Sequence, residues 1–579
     1  MTERMKAQIK RRADTRRARQ TAQLTTTSIV DQDFILESGK TSRPRRSQTS
    51  NDVPGSFAST VGTEGAIDNS SQSYRSTSIR RPPTLEAQRK SPTSPRNDER
   101  IPWTASVLGF LDEYEEAHDY LPLLSSGRDF EIDFLMKYLD YVFPLLFPFY
   151  QPSLHETGRS WIMTLLRRSR VAFHSAMSLT AYFFVFTLIN SYPGQHDDCK
   201  GQLWEKIGSQ TDMCFEMIQQ DIRDLSLRGA QTTLLEKARV MESITQFLIF
   251  EVSLSHSANW SLHLTPALAL LEEIWQSSTT KDSDSQMLAV LDGMGPVLWF
   301  GGPSGGYVWS PEQAGFRFFT GLLLFIDIIA STSLAQPPRL VEYHTHLLAD
   351  QDSGEPDYMM VPIQFSSLIG CQNWVLLAIS QITLLDTWKK DMKRAARLSM
   401  MELVDRASHI SRILKDGISR LDKLNSSPRK DNPLQLPLRA YINTPLSISS
   451  RLSTAPTRIW AHAAQIYLAV AVSGWQPSNA EIRSGVAQIL ELLRTVDCST
   501  FLRTLAWPLC VAGCMSEAGI HEQEFRHLFA GTDELSMVGA LGEARKIIEK
   551  VWESRETLDR ETWDLAACFR ILGTPALLV

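Results

Sequence analysis

Cysteine is scarce and late in this chain: seven in 579 residues, the first of them Cys199. Cys199, Cys214, Cys371, Cys498, Cys510, Cys514 and Cys568 are odd in number and mostly set among apolar neighbours. That excludes a disulfide framework and fits a reducing compartment. Charged residues stand near the N-terminus where a secretory leader would need an apolar core, so secretion is not expected. One apolar run approaches membrane length. Val171 to Ile189 is long enough, but His174, Ser175, Ser178, Thr180 and Thr187 dilute it, and a buried core helix with no membrane partner is the expectation. Strand-type runs are few, Val297 to Phe300 being the clearest, and no fixed-period repeat is visible. With no alternation of strands and helices, a parallel-sheet enzyme fold has nothing to be built from.

What is present is apolar residue in quantity, 43% of the chain, enough for a large core. Charge is unevenly placed. Residues 1–100 hold 19 Lys and Arg against 11 Asp and Glu, a net of +8, which leaves −14 of the overall −6 for the rest. This first stretch is rich in Ser, Thr, Arg, Gln and Pro and has no sustained apolar period. A segment of that composition cannot offset its ordering entropy by burial, so residues 1–102 are expected to form a disordered basic tail. Within it, Lys10, Arg11, Arg12, Arg16, Arg17 and Arg19, then Arg43, Arg45 and Arg46, are candidates for nuclear import or phosphate contact, with Arg80 and Arg81 further on. A merely solvated basic tail is the plainer alternative. Phe110 to Leu124 mixes acidic with aromatic and aliphatic residues. It suits either an acidic activation segment or a short helix docked through Leu111, Tyr114 and His118.

Beyond Gly127 the spacing predicts helices almost throughout. Phe134, Leu135, Tyr138, Leu139, Val142 and Phe143 recur on one helical face, which Pro144 and Pro148 should stop. After a bent apolar corner ending at Gly158, the pattern resumes from Trp161 through Phe173, Met177 and Phe184 as one long helix. Leu203 to Leu225 marks a further helix, Leu234 to about His256 another, and Trp260 to Leu271 begins a third, in which Pro266 is tolerable if it falls in the first turn. Gly293 to Pro311 reads as the main loop, Asp350 to Asp357 as a second, and residues 424–457 as an exposed linker.

Three constellations invite a chemical reading. Gly302-Pro-Ser-Gly-Gly306 matches G-x-S-x-G, but Gly305, Gly306 and Pro311 delay the helix that a nucleophile elbow requires directly behind its serine. The loop also lacks the Lys-Ser/Thr ending of a phosphate-binding loop, so no catalytic residue and no cofactor are assigned. Cys510 and Cys514 with His521 and His527 offer four zinc-type ligands on paper, yet Trp507 to Met515 is apolar on most sides and packing is the better account. Asp327 interrupts the apolar run Phe316 to Ser333, and a capping or interhelical hydrogen bond is expected of it.

Several stretches carry a resemblance. Tyr138-Leu-Asp-Tyr-Val-Phe-Pro-Leu-Leu-Phe-Pro-Phe-Tyr-Gln-Pro152, Gly158-Arg-x-Trp161 and Ser178-Leu-Thr-Ala-Tyr182 stand first. Gly370 to Leu377, Leu385 to Lys389, Ile466 to Gly474, Leu505 to Cys514, Val551 to Arg555, Trp563 and Leu577 to Val579 follow in order. Together, from about residue 103 to the end, they resemble the fungal-specific transcription factor domain, in the subfamily of arginine-catabolism and acriflavine-sensitivity regulators. The resemblance implies an all-α regulatory domain over 103–579, a nuclear transcriptional regulator of metabolic or secondary-metabolite genes, and no enzyme activity. It implies partners in the transcription machinery and leaves homo- and heterodimers open. Members normally begin with a six-cysteine, two-zinc cluster that reads DNA. With Cys199 as its first cysteine, this chain has no such cluster, and DNA contact is expected only indirectly or weakly through the basic tail. The alternative is a helical enzyme or small-molecule carrier with a pocket near Gly302 to Gly306.

Overall fold

The computed structural model describes residues 129–152, 157–191, 197–254, 259–277, 283–300, 306–348, 363–426, 450–495, 501–559 and 562–579. The basic clusters from Lys10 to Arg81, the segment Phe110 to Leu124, the acidic loop Asp350 to Asp357 and the boundary at 102/103 lie outside these residues.

The chain enters through an apolar corner. Helix α1 (Asp129–Lys137) passes into a π turn (Tyr138–Val142) and then α2 (Phe143–Leu146). Pro144 therefore does not stop the helix; it occupies the first turn of α2, and the helix ends at Phe147, before Pro148. The register change explains the tolerance. Phe143 donates its N–H five residues back, to the Tyr138 carbonyl, so the missing N–H of Pro144 orphans only the next carbonyl, that of Leu139. The Arg159 guanidinium fills that vacancy, its Nη1 donating to the Leu139 oxygen at 3.2 Å.

The long helix expected from Trp161 is two helices, α3 (Ser160–Arg168) and α4 (Arg170–Ser191). Ser169 breaks them by taking an extended conformation, and its Oγ accepts the Ala172 N–H at 3.1 Å, a capping role that alternating apolar spacing does not reveal. Helix α5 (Asp197–Arg228) buries Leu203, Ile207, Cys214 and Ile218. Helix α6 (Leu234–Ser253) starts on a Thr233/Glu236 capping box and ends short of His256. Pro266 falls in the second turn of α7 (Trp260–Gln276), not the first; the carbonyl it leaves unpaired belongs to Leu262, on the exposed face.

After α8 (Ser283–Asp292) the expected loop holds a short antiparallel hairpin, β1 (Leu298–Phe300) against β2 (Gly306–Val308), pairing Trp299 with Tyr307. Single helical turns at His344–Leu347 and Ser366–Ile369 follow helix α9 (Pro311–Leu334). The remaining helices are α10 (Asn373–Arg394), α11 (Met400–Ser426), α12 (Ser450–Ser473), α13 (Ala480–Thr495), α14 (Ala506–Cys514), α15 (Ile520–Gly531), α16 (Ala540–Ser554) and α17 (Leu565–Phe569). The linker expected at 424–457 is shorter than its composition suggests, because α11 runs to Ser426 and α12 begins at Ser450.

Helix α9 is the hub. Ser310 and Gln313 form its capping box, with Pro311 in the first turn where its missing N–H has no intrahelical partner to lose. Every residue from Gln313 to Ser333 except Arg317 is buried, and α3, α6, α7, α10 and α17 all pack on it. By length and composition α9 could cross a membrane, yet nearly all of its apolar stretch is enclosed by neighbouring helices. That all-round apolarity is what a helix at the centre of a large core needs. Burying each large aliphatic or aromatic side chain contributes roughly 1.5–3 kcal/mol.

Candidate functional site

The stretches that carry the resemblance meet one another around α9. Lys389 of α10 donates from Nζ to the carbonyls of Ala471 at 2.6 Å and Val472 at 3.1 Å, capping the last turn of α12. Trp460 of α12 stacks on Trp507 of α14 with ring centroids 5.3 Å apart, and Trp507 Nε1 donates to Thr332 of α9 at 3.0 Å. Trp552 of α16 donates to the Gly513 carbonyl at 2.9 Å. Gly513 is required there by packing: a Cβ would come within 2.5 Å of Ile548. Ser333 reaches the carbonyl of Ala576 near the C-terminus at 2.6 Å.

At its N-terminal end, α9 meets the entry corner. Phe318 lies 4.7 Å from Trp161, 4.8 Å from Tyr150 and 5.8 Å from Phe143, centroid to centroid. The polar tips in this cluster are satisfied, with Trp161 Nε1 donating to Tyr150 at 2.9 Å and Gln246 to the Tyr138 hydroxyl at 3.1 Å. Beside it Arg168 pairs with the buried Glu242 and with Glu312, tying α3 to α6 and α9. Burial, with Arg239 nearby, pulls the Arg168 guanidinium down to about 10.

One turn further along α9 the packing opens. Leu322, Phe325 and Ile326 face a small, partly open cavity, walled also by Leu146 and Phe147 of the entry corner, Leu248 and Ile249 of α6, Leu541 of α16 and the C-terminal Val579. Arg503 brings the only formal side-chain charge to this lining. It is half-buried, donates from Nη1 to the Leu535 carbonyl at 2.8 Å and lies 5.6 Å over the Phe183 ring. Burial lowers it to about 10, opposed by Asp533 and Tyr182. The next residue after Ile326 is Asp327, whose carboxylate accepts the N–H groups of Arg339 at 3.1 Å and Leu340 at 2.8 Å. This is the capping role expected of it; burial nevertheless raises it to about 6.

The other constellations do not converge. Cys510 and Cys514 lie side by side at 4.0 Å, fully buried, and burial pushes both thiols up. His521 and His527 stand on α15, His527 exposed, and among the described residues no group of three side chains is arranged for a metal. Residues 302–305 of the G-x-S-x-G stretch fall outside the described residues, and no residue of the flanking hairpin lines the cavity with Arg503. Sequence reasoning missed Arg503, because an arginine between Leu502 and Thr504 carries no motif and its setting arises only from helices distant in the chain.

Residues 133–573 match the family described as the fungal specific transcription factor domain. The chain belongs to this family. Over its whole length it is 38% identical to "Transcription factor dibT" of Pestalotiopsis microspora, covering 91% of that protein. It is 27% identical to "Trichothecene biosynthesis transcription regulator TRI10" of Trichoderma arundinaceum, over 78% of this chain and 98% of the relative. A third relative is "ustiloxin B cluster transcription factor ustR" of Aspergillus flavus, 26% identical over 73% of this chain and 67% of the relative. No solved structure matches significantly. The family and its relatives make the chain a transcriptional regulator, and the interlocked motifs around α9 are the all-α body of this family's domain.

Proposed function

We propose that this regulator controls the genes of a secondary-metabolite biosynthetic cluster through its helical body. The observation that carries the reading is the match to dibT along the whole chain, accompanied by relatives named for trichothecene biosynthesis and the ustiloxin B cluster. In this reading residues 103–579 form the regulatory domain and 1–102 a basic tail that carries the protein into the nucleus. The tail's net charge of about +8 supports weak, salt-sensitive phosphate contact without base reading. Sequence selectivity then comes from a DNA-bound partner protein, and the chain performs no catalytic step of its own.

Deleting the gene and measuring transcripts across the surrounding genes tests this. A coordinated loss of one contiguous set of biosynthetic transcripts, restored by the intact gene, is expected. Complementation with Lys10, Arg11, Arg12, Arg16, Arg17, Arg19, Arg43, Arg45 and Arg46 all changed to Ala should restore less and leave the tagged protein outside the nucleus. Unchanged transcripts after deletion would refute the cluster reading, and undiminished nuclear accumulation would refute the role of the tail.

A further inference from the structure

We infer that the corner between α10 and α11 is an interface between two copies of this chain, each taking up the acidic stretch Phe110 to Leu124 of the other. Exposed apolar surface gathers there: Met400, Met401 and Val404 stand 58%, 85% and 53% exposed at the start of α11. Their spacing continues along the helix through Ser408, Arg412 and Lys415, exposed on the same face, while Leu403, Ala407, Ile410 and Leu414 turn another side into the core. At the end of α10, Ala396 at φ +53 turns the chain and the Arg397 N–H bonds the Met392 carbonyl at 2.9 Å, which brings Lys393 and Arg397 to the same corner. Arg394 and Arg406 there are already paired, with Asp391 and Glu402. Lys393, Arg397, Arg412 and Lys415 have no ion pair among the described residues, and only Asp405 and Asp416 flank the face with the opposite sign. Cations in excess thus stand beside long, adaptable methionines.

Phe110 to Leu124 has the complementary make-up. It holds five carboxylates, Asp112, Glu113, Glu115, Glu116 and Asp119, and no Lys or Arg. Leu111, Tyr114, His118 and Leu121 recur at three- and four-residue spacing, as the anchors of an amphipathic helix laid on a surface do. The other exposed apolar trio, Ile132, Met136 and Tyr141 of the entry corner, is flanked by Asp133 and Asp140 and would repel such a stretch. Tether length favours a second copy as the donor. Leu124 stands five residues before the start of α1, a reach of about 17 Å. Helix α1 leads into the entry corner, whose Phe149 lies against Gly370 just ahead of α10, and Gly417 of α11 packs on Trp374 in the first turn of α10. The two helices therefore run antiparallel, which leaves Met400 about 30 Å along α10 from that corner. A reciprocal exchange closes a two-fold dimer and gives the cations of both corners their counter-charges. For the function proposed above, two joined copies would present two basic tails to one DNA, raising avidity without base reading; the pairing itself does not rest on that reading.

The test is sedimentation equilibrium of the purified full chain over a concentration series at low ionic strength, where surface charges act most strongly. A reversible monomer–dimer equilibrium is expected. Its dissociation constant should rise about tenfold or more with Met401→Asp and Val404→Asp together, and comparably with Asp112→Asn, Glu113→Gln, Glu115→Gln, Glu116→Gln and Asp119→Asn together. Lys393→Glu, Arg397→Glu, Arg412→Glu and Lys415→Glu in one chain should abolish the dimer. Adding Asp112→Lys, Glu113→Lys, Glu115→Lys, Glu116→Lys and Asp119→Lys to that chain should restore it, a rescue that reports pairing and not damage to the fold. A chain that stays monomeric at every concentration, a dimer unmoved by the α11 changes or by the neutralised stretch, or charge reversals that fail to rescue each other would overturn the assignment.

Discussion

Phe318 and Leu322 sit one turn apart on the same helix and meet their neighbours in opposite ways. Phe318 is wedged among Phe143, Tyr150 and Trp161, edge to face with Tyr150 and tilted against the other two rings, and the polar tips of Tyr150 and Trp161 are bonded to each other. Leu322 looks into space beside a guanidinium that has a single hydrogen bond. The entry corner meets α9 at both levels, but α3 brings Trp161 to the first, whereas α6, α16 and Arg503 line the second. Rings fill the first level, and mostly aliphatic chains with Phe147 and Phe325 line the second. Tight packing at the first level fixes how the corner docks, and the level below is packed less completely.

The largest effect expected is at the packed level. Trp161 is fully buried, and Trp161→Ala should lower unfolding free energy by about 3–5 kcal/mol, read as a shift in the denaturant midpoint. Leu322→Ala, on the cavity wall, should fall at or below the low end of the roughly 2–5 kcal/mol typical of leucine truncation, since part of its surface already lacks neighbours. Equal losses at the two positions would break the distinction between the levels.

A second prediction concerns Asp327, next along α9 after the cavity-lining Ile326. Its folded-state pKa, about 6, lies above the ordinary 3.8, because burial outweighs the two N–H groups and Arg339, with Glu272 adding to the rise. The folded chain therefore binds this proton more tightly than the unfolded one, and the contribution, present at low pH, is lost as pH rises from about 4 through about 6. His174 and His344 act in the opposite sense. Burial lowers both to about 4, so their contribution is present near neutrality and is lost as pH falls through that value. Asp327→Asn removes the first term and keeps the second. Its stability should climb more steeply between pH 4 and pH 6 than that of the unaltered chain, by on the order of 1–3 kcal/mol over the window. Parallel curves would mean that Asp327 is ionised in the fold throughout.

How much of this was legible beforehand divides along the same line. Period-3.6 apolar faces placed α5, α6 and α7 closely, because a helix that buries one face must repeat it. The same rule ran α3 and α4 together, since Ser169 breaks the backbone without breaking the apolar pattern. Proline misled at Pro144, where a π turn accommodates it, while Pro266 sits a turn deeper in the expected helix than the first turn that would tolerate it most easily. Asp327 could be read as a capping acid from its isolation in an apolar run. Arg503 could not, because its place beside Leu146, Leu248, Leu322 and Leu541 arises only when these residues are brought together in space.

The smallest effect expected lies in the entry corner and concerns how the packed level tolerates Pro144. In the π turn Phe143 reaches back five residues to Tyr138, and the residue after it would reach Leu139 if it had an N–H to give. Pro144 has none, and Arg159 donates in its place at 3.2 Å. Arg159→Met should therefore destabilise by about 1 kcal/mol, the usual contribution of one hydrogen bond together with an unmet carbonyl. Pro144→Ala restores an N–H that can serve Leu139. In that background Arg159→Met should lose little, giving a coupling of about 0.5–1 kcal/mol in a double-mutant cycle followed by chemical denaturation. Strict additivity would show that the guanidinium and the proline are independent. The aromatic cluster would then hold the corner without help from this repair, and the packed level would owe its register to Phe143, Tyr150 and Trp161 alone.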